Sequence, residues 1–145
     1  MISDQYECCH ILKGHENWTE TLDAIIDKES GNILLASGNQ DSFIRVWRFQ
    51  KISHSKAQEE RRKVKELAPN EDIKMKEVIF STNNSTSFYS VAVETILAGH
   101  DDKVFGLQWC QTKDDLKLIS ASLDKTIILW NQDQDADGLW IESVR

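Results

Sequence analysis

Short apolar runs alternate with polar, turn-forming clusters along most of the chain. "NILLAS" (32–37) and "LKLISAS" (116–122) are apolar runs that end in small residues. "FIRVWRF" (43–49) and "TIILW" (126–130) are rich in β-branched and aromatic residues, the types that suit a pleated, half-buried surface. Strand alternation puts Phe43, Arg45 and Trp47 on one face and Ile44 and Val46 on the other. Between the runs, "NQDS" (39–42) and "SLDK" (122–125) predict tight turns in which Asp41 and Asp124 bond nearby backbone. "KVFGLQW" (103–109) predicts a further strand, and "TLDAII" (21–26) is its weaker counterpart. "YECCHIL" (6–12), "FYSVAVETIL" (88–97) and "GLWIESVR" (138–145) read as a fourth type of strand.

The pattern is written twice. Gly14-His15 matches Gly99-His100, Ser37 matches Ser120, Asp41 matches Asp124, and Trp47 matches Trp130. Serine to aspartate is 4 residues and aspartate to tryptophan 6 in both copies, while histidine to aspartate is 26 in one and 24 in the other. The slack falls among turn formers such as "DKESGN" (27–32). Four strands per unit, with Gly-His before the first and Trp near the end of the third, resembles the WD40 repeat of β-propellers. The usual aspartate after the tryptophan is replaced by Arg48 and Asn131. The fold expected is therefore all-β: two blades of a WD40 propeller. Residues 1–50 plus 78–98, with a preceding strand at 6–11, make the first blade, and 99–145 the second.

The resemblance implies two structural tetrads, His15/Ser37/Asp41/Trp47 and His100/Ser120/Asp124/Trp130. Aspartate would accept from one imidazole nitrogen, serine would bond the other, and the serine oxygen would accept the indole N–H. Such a bond contributes roughly 1 kcal/mol net, but a buried partner left alone costs about 1–3 kcal/mol. A Ser-His-Asp hydrolase uses the same residue types. Against it stand the duplication, the tryptophan sharing each serine, and the absence of a G-x-S-x-G elbow. Cys8, Cys9, His10 and His15 cluster in sequence, yet the chain has no C-x-x-C or H-x-x-x-H pair to start a zinc site. No glycine-rich phosphate loop is present. We expect no catalytic residues, no metal and no cofactor.

Between the copies, residues 51–77 hold eight Lys/Arg and six Asp/Glu. Ser55 and Gln58 fit a capping box, Glu59 and Lys63 an i,i+4 pair, and Pro69 a helix stop. Few residues there can pack, so the expectation is a charged insertion forming a weak helix or staying disordered. It explains an 85-residue spacing between the Gly-His pairs, against about 40–45 for one WD40 unit. Arg61, Arg62, Lys63 and Lys65 are candidates for weak contact with RNA phosphates or a partner, but interleaved acids favour a solvated mixed-charge loop.

Composition narrows the function classes. The 145 residues carry a net charge of −7, which disfavours broad binding to nucleic acid or anionic membrane. No apolar run approaches the ~18–20 residues that span a bilayer, and the first residues lack the basic and apolar regions of a secretory signal. Three cysteines do not build a disulfide framework. They are expected as reduced thiols in an intracellular protein, and the N-x-S/T matches at Asn17, Asn83 and Asn84 as chance.

The likeness goes beyond the repeat. "LAGHDDKV", "LISASLDKTIILW", the acidic spacer "NQDQDAD" and the tail "GLWIESVR" resemble the Elongator complex protein 2 family, the WD-repeat subunits of Elongator. So does "LLASGNQDSFIRVWRF" followed by a long charged insertion. The resemblance covers about residues 6–145, and "GLWIESVR" is its most specific piece. "ENWTETLDAII" and the charges of the insertion depart from the family. It implies a scaffold in a complex that modifies wobble uridines of tRNA, with the chemistry in another subunit. The implied partners are the large scaffold subunit and the catalytic radical acetyltransferase-like subunit, with tRNA contacted indirectly at most and no membrane. The implied location is the cytoplasm, with the nucleus second. The alternative is a general WD40 interaction module of another assembly, such as a ligase adaptor or trafficking coat. Two blades cannot close a ring, so the chain is also expected to be part of a longer protein, and to be poorly soluble or oligomeric by itself.

Overall fold

The computed structural model describes residues 8, 10–59, 78–81, 87–113, 115–133 and 138–145. They form two antiparallel sheets. The first contains β1 (Thr19–Ile26), β2 (Ile33–Asn39), β3 (Ile44–Ile52), β4 (Val78–Ser81) and β5 (Phe88–Leu97), in the order β1-β2-β3-β5-β4. The second contains β6 (Val104–Gln111), β7 (Leu116–Ser122), β8 (Ile127–Asp133) and β9 (Leu139–Val144) in sequential order. The all-β, two-blade expectation therefore holds.

The sheets repeat each other in detail. A bulge falls between Thr19 and Thr21 in β1 and between Val104 and Gly106 in β6. Another falls at Glu94 in β5, opposite Val46 and Trp47, and at Ser143 in β9, opposite Leu129 and Trp130. Ser42 and Lys125, at matching turn positions, both take positive φ (68° and 72°). Asp41 Oδ1 accepts the Phe43 N–H and Asp124 Oδ1 the Thr126 N–H. Both are Asx turns, in which the short acid replaces a backbone acceptor.

Three features differ from the sequence-based expectation. The first sheet has five strands and not four, because "EVIFST" (77–82), strand-like in sequence, supplies β4, which hydrogen-bonds the outer edge of β5 from Val78↔Val91 to Ser81↔Phe88. An unpaired strand edge is a ready template for one more strand. Second, a helical segment does begin in the insertion, at 54–59, but Ser53 caps it rather than Ser55. Ser53 Oγ accepts the Lys56 N–H (3.3 Å), and Ala57 N bonds Ser53 O (3.0 Å). Ala57 is buried, and the His54 ring stands edge-on to Phe88 at 5.1 Å. Third, Cys8 and the residues from His10 to Trp18 take no strand conformation. A strand requires a paired neighbour, and no strand of either sheet pairs with them. Tyr6, Glu7 and Cys9 lie outside the described residues, as do Lys63 and Pro69.

One core joins the two sheets. Leu34, Ala36, Ile44, Val46 and Leu97 of the first pack with Val104, Trp109, Leu118, Ile128, Trp130 and Trp140 of the second. Asp23 on β1 ties them: its Oδ2 accepts the Trp109 N–H (2.6 Å) and its carbonyl the Trp109 indole N–H (3.1 Å). With its amide turned to satisfy both neighbours, Gln111 donates to Ile26 O (3.2 Å) and accepts from Lys28 N (3.0 Å). The closest approach is at Gly38, where a Cβ would stand 2.7 Å from Val104 Cγ1 and 2.9 Å from Thr21 Cγ2. Neither branched side chain can withdraw without moving its strand. Gly38→Ala is expected to destabilise the chain by about 1–3 kcal/mol, read as a lowered midpoint in thermal unfolding.

Candidate functional site

The residues singled out by the repeat lie at the Gly-His end of each sheet. In the second sheet the four converge. His100 Nδ1 is 2.9 Å from Asp124 Oδ2, His100 Nε2 is 2.7 Å from Ser120 Oγ, and the Trp130 indole N–H donates to Ser120 Oγ at 2.9 Å. Asp124 is an acceptor, so His100 carries its proton on Nδ1 and its Nε2 accepts the Ser120 hydroxyl. Thr126, which the repeat does not specify, adds an O–H bond to Asp124 Oδ1 (2.6 Å). The Asp101 N–H donates to Asp124 Oδ2 (3.0 Å). Burial opposes ionisation of Asp124, but the bonds from Thr126, the Asp101 N–H and His100 outweigh it and hold the carboxyl far below the usual range. Ser120 is fully buried. Gly99 is required beside it, because a Cβ there would lie 2.7 Å from Trp130 Cη2. The C-terminal Arg145 ties the tail to this loop, donating to Gly99 O and to Glu142 Oε1 (2.9 Å).

The first sheet departs from the expected tetrad. Ser37 Oγ is 2.6 Å from His15 Nε2 and accepts the Trp47 indole N–H at 2.9 Å. Asp41, however, is not bonded to the imidazole; Oδ2 lies 3.9 Å from His15 Nδ1. Arg45 stands between them, with Nη1 2.7 Å from His15 Nδ1 and 3.2 Å from Asp41 Oδ2. A guanidinium can only donate. His15 must therefore accept at Nδ1 and carry its proton on Nε2, donating to Ser37, whose hydroxyl turns to the Arg45 carbonyl (3.4 Å). The two histidines hold opposite tautomers. Burial first, and then the Arg45 guanidinium, lower the His15 pKa against the pull of Asp41. The sequence did carry a signal for this: Arg45 alternates onto the Trp47 face, where the second copy has the apolar Ile128.

The other candidates do not assemble. Cys8 is exposed, and its thiol approaches only the His10 carbonyl (3.7 Å). Among the described residues, no three His, Cys, Asp or Glu side chains gather as metal ligands. No helix among them is long and apolar enough to cross a membrane. Arg61, Arg62, Lys63 and Lys65 lie outside the described residues.

Three outcomes follow from this geometry. Ser120→Ala leaves the Trp130 N–H without its acceptor and His100 Nε2 without its donor inside the core. A loss of about 1–3 kcal/mol per orphaned group is expected, measured by urea unfolding. Acidification should act in two steps. The folded His15 binds protons less readily than an unfolded histidine, so stability is full above about pH 6.5 and declines as pH falls through that value. The depressed Asp27, Asp41 and Asp124 add a second loss below about pH 4, where unfolded aspartates take up protons first. Arg45→Leu should raise the His15 pKa, read by NMR titration of its ring protons.

Comparison with known proteins agrees with this geometry. The model of the WD domain, G-beta repeat (WD40) family matches residues 6–48 and 91–131. The chain is 41% identical to Elongator complex protein 2 of Drosophila melanogaster, 37% to that of Danio rerio and 31% to that of Saccharomyces cerevisiae. The alignments cover 99%, 99% and 100% of this chain, but only 18%, 17% and 18% of those relatives. The chain thus spans less than a fifth of the length of the curated relatives it matches. With two matched repeats that together take in more than half of the chain, the chain belongs to the WD40-repeat family.

Proposed function

We propose that this chain is a non-catalytic pair of WD40 blades, acting as scaffold in an Elongator-type complex and supporting tRNA wobble-uridine modification carried out by another subunit. The observation that carries the reading is likeness to Elongator complex protein 2 along 99% of the chain, through the insertion and the tail, where a general WD40 repeat prescribes nothing. The chemistry of the repeated residues supports a scaffold. Ser120 is fully buried and held by both His100 and Trp130, which leaves its oxygen no approach for a substrate. Its counterpart Ser37 sits beside a histidine whose proton points toward the serine, the wrong tautomer for a general base.

The partners proposed are the large scaffold subunit and the catalytic radical acetyltransferase-like subunit, with tRNA reached through them. The location proposed is the cytoplasm and secondarily the nucleus. Affinity purification of the tagged protein from its own cells, with mass spectrometry of what is retained, tests this. Near-equal recovery of those two subunits is the expected result. Recovery of an unrelated assembly overturns the Elongator assignment and leaves a WD40 module serving that assembly.

A further inference from the structure

The two Gly-His sets differ in where an incoming proton can go. The open lone pair of His15 is on Nδ1, where Arg45 Nη1 donates to it at 2.7 Å, while its Nε2–H already donates to Ser37 Oγ at 2.6 Å. A guanidinium can only donate. The Arg45 bond therefore exists only while Nδ1 is bare, and a proton there turns it into a contact between two cations. The charged groups that face His15 are Arg45 from β3 and Asp41 from the turn before it. Asp41 Oδ2 stands 3.9 Å from His15 Nδ1, whereas Asp124 Oδ2 stands 2.9 Å from His100 Nδ1. Asp41 Oδ1 is held by the Phe43 N–H, so only Oδ2, now bonded to Arg45, has to change partner.

We propose that His15 is a proton-operated switch: uptake of one proton at Nδ1 exchanges its partner there from Arg45 to Asp41, and the first set takes the hydrogen-bond pattern already present around His100. The exchange is local. Nε2 carries a hydrogen in both forms, so the bond to Ser37 and the bond from the Trp47 indole to Ser37 stay as they are. What changes is the hold on the Gly-His loop. In the neutral form the loop is fastened to the Arg45 side chain of β3; in the protonated form it is fastened to the turn at Asp41. The second set offers no such exchange. His100 Nδ1 already has Asp124, and its open lone pair is on Nε2, facing the fully buried Ser120. Burial and the Arg45 guanidinium keep His15 neutral near pH 7, so the exchange sets in as pH falls below the ordinary histidine range. Every group involved belongs to the first sheet or to the loop that precedes it. This inference is independent of the Elongator assignment.

The test is proton–nitrogen NMR of the histidine rings in the protein, titrated from neutral to acid pH, because ring nitrogen shifts report which nitrogen is protonated. In the wild type near neutral pH, His15 is expected as the Nε2–H tautomer and His100 as the Nδ1–H tautomer. Arg45→Leu removes the donor that keeps Nδ1 bare. Neutral His15 should then change to the Nδ1–H tautomer, bonded to Asp41, a change that lost packing alone does not produce. Arg45 lies against Gly14 as Ile128 lies against Gly99, so an apolar side chain fits there; Arg45→Met serves if the leucine variant does not fold. Asp41→Asn keeps the acceptor for the Phe43 N–H but removes the charge. It should leave the neutral tautomer as Nε2–H and move the His15 midpoint to lower pH than in the wild type. A wild-type His15 already protonated on Nδ1 near neutral pH overturns the inference. So does an arginine variant that keeps the Nε2–H tautomer, or an unmoved midpoint in Asp41→Asn, since Asp41 is then not the partner of the protonated ring.

Discussion

A four-stranded antiparallel sheet with large apolar residues on both faces cannot bury either face by itself, and the rest of this structure follows from how one face is covered. The solution is to lay the Ala36/Ile44/Val46 face of the first sheet on the Leu107/Trp109/Trp130 face of the second. That contact excludes water from one core of eleven buried residues, and the exclusion gives the polar groups within it their weight. Asp23 can fix Trp109 because both of its acceptors are aimed at N–H groups that have little water to turn to. Gly38 has no side chain because the Val104 and Thr21 side chains fill the space a Cβ would take.

The same constraint explains why the two His/Ser/Trp sets differ. The second lies on the covered face, against the first sheet. Each donor of that set has its acceptor within the chain, and Asp124 is kept ionised by the bonds from Asp101, Thr126 and His100. The first lies on the opposite face of its own sheet, away from the second sheet. Arg45 can occupy the position of Ile128 there because it donates to both His15 and Asp41, the latter a counter-charge. Ile128, at the matching position, is fully buried in the shared core, where a cation would have to be desolvated completely. The duplicated residues thus share types and spacings but not proton positions, and neither set offers a base poised beside a free nucleophile.

Much of the fold could be read from one copy against the other. The strand runs, the Asx turns at Asp41 and Asp124, and the Gly-His loops are local features, and their repetition at matched spacings made them legible. The tail strand β9 was legible for the same reason. What failed was equally specific. Of the strand expected at 6–11, the described residues Cys8, His10 and Ile11 take no strand conformation, and the cap expected at Ser55 lay two residues early, at Ser53, because β3 ends at Ile52 and the chain turns there. The tetrad expected at His15 lost its aspartate to Arg45, although the alternation had already placed that arginine on the tryptophan face.

By itself the sequence determined that this is an all-β protein of two WD40 blades, since period-two burial and turn chemistry act over a few residues and leave their pattern in the order of the chain. Only the tertiary structure decided which faces meet, which histidine nitrogen carries the proton, and that Asp23 binds Trp109 across 86 residues of sequence. Those outcomes depend on distances between atoms of different sheets. No local pattern encodes such distances until packing brings the groups within hydrogen-bonding range and removes the water between them.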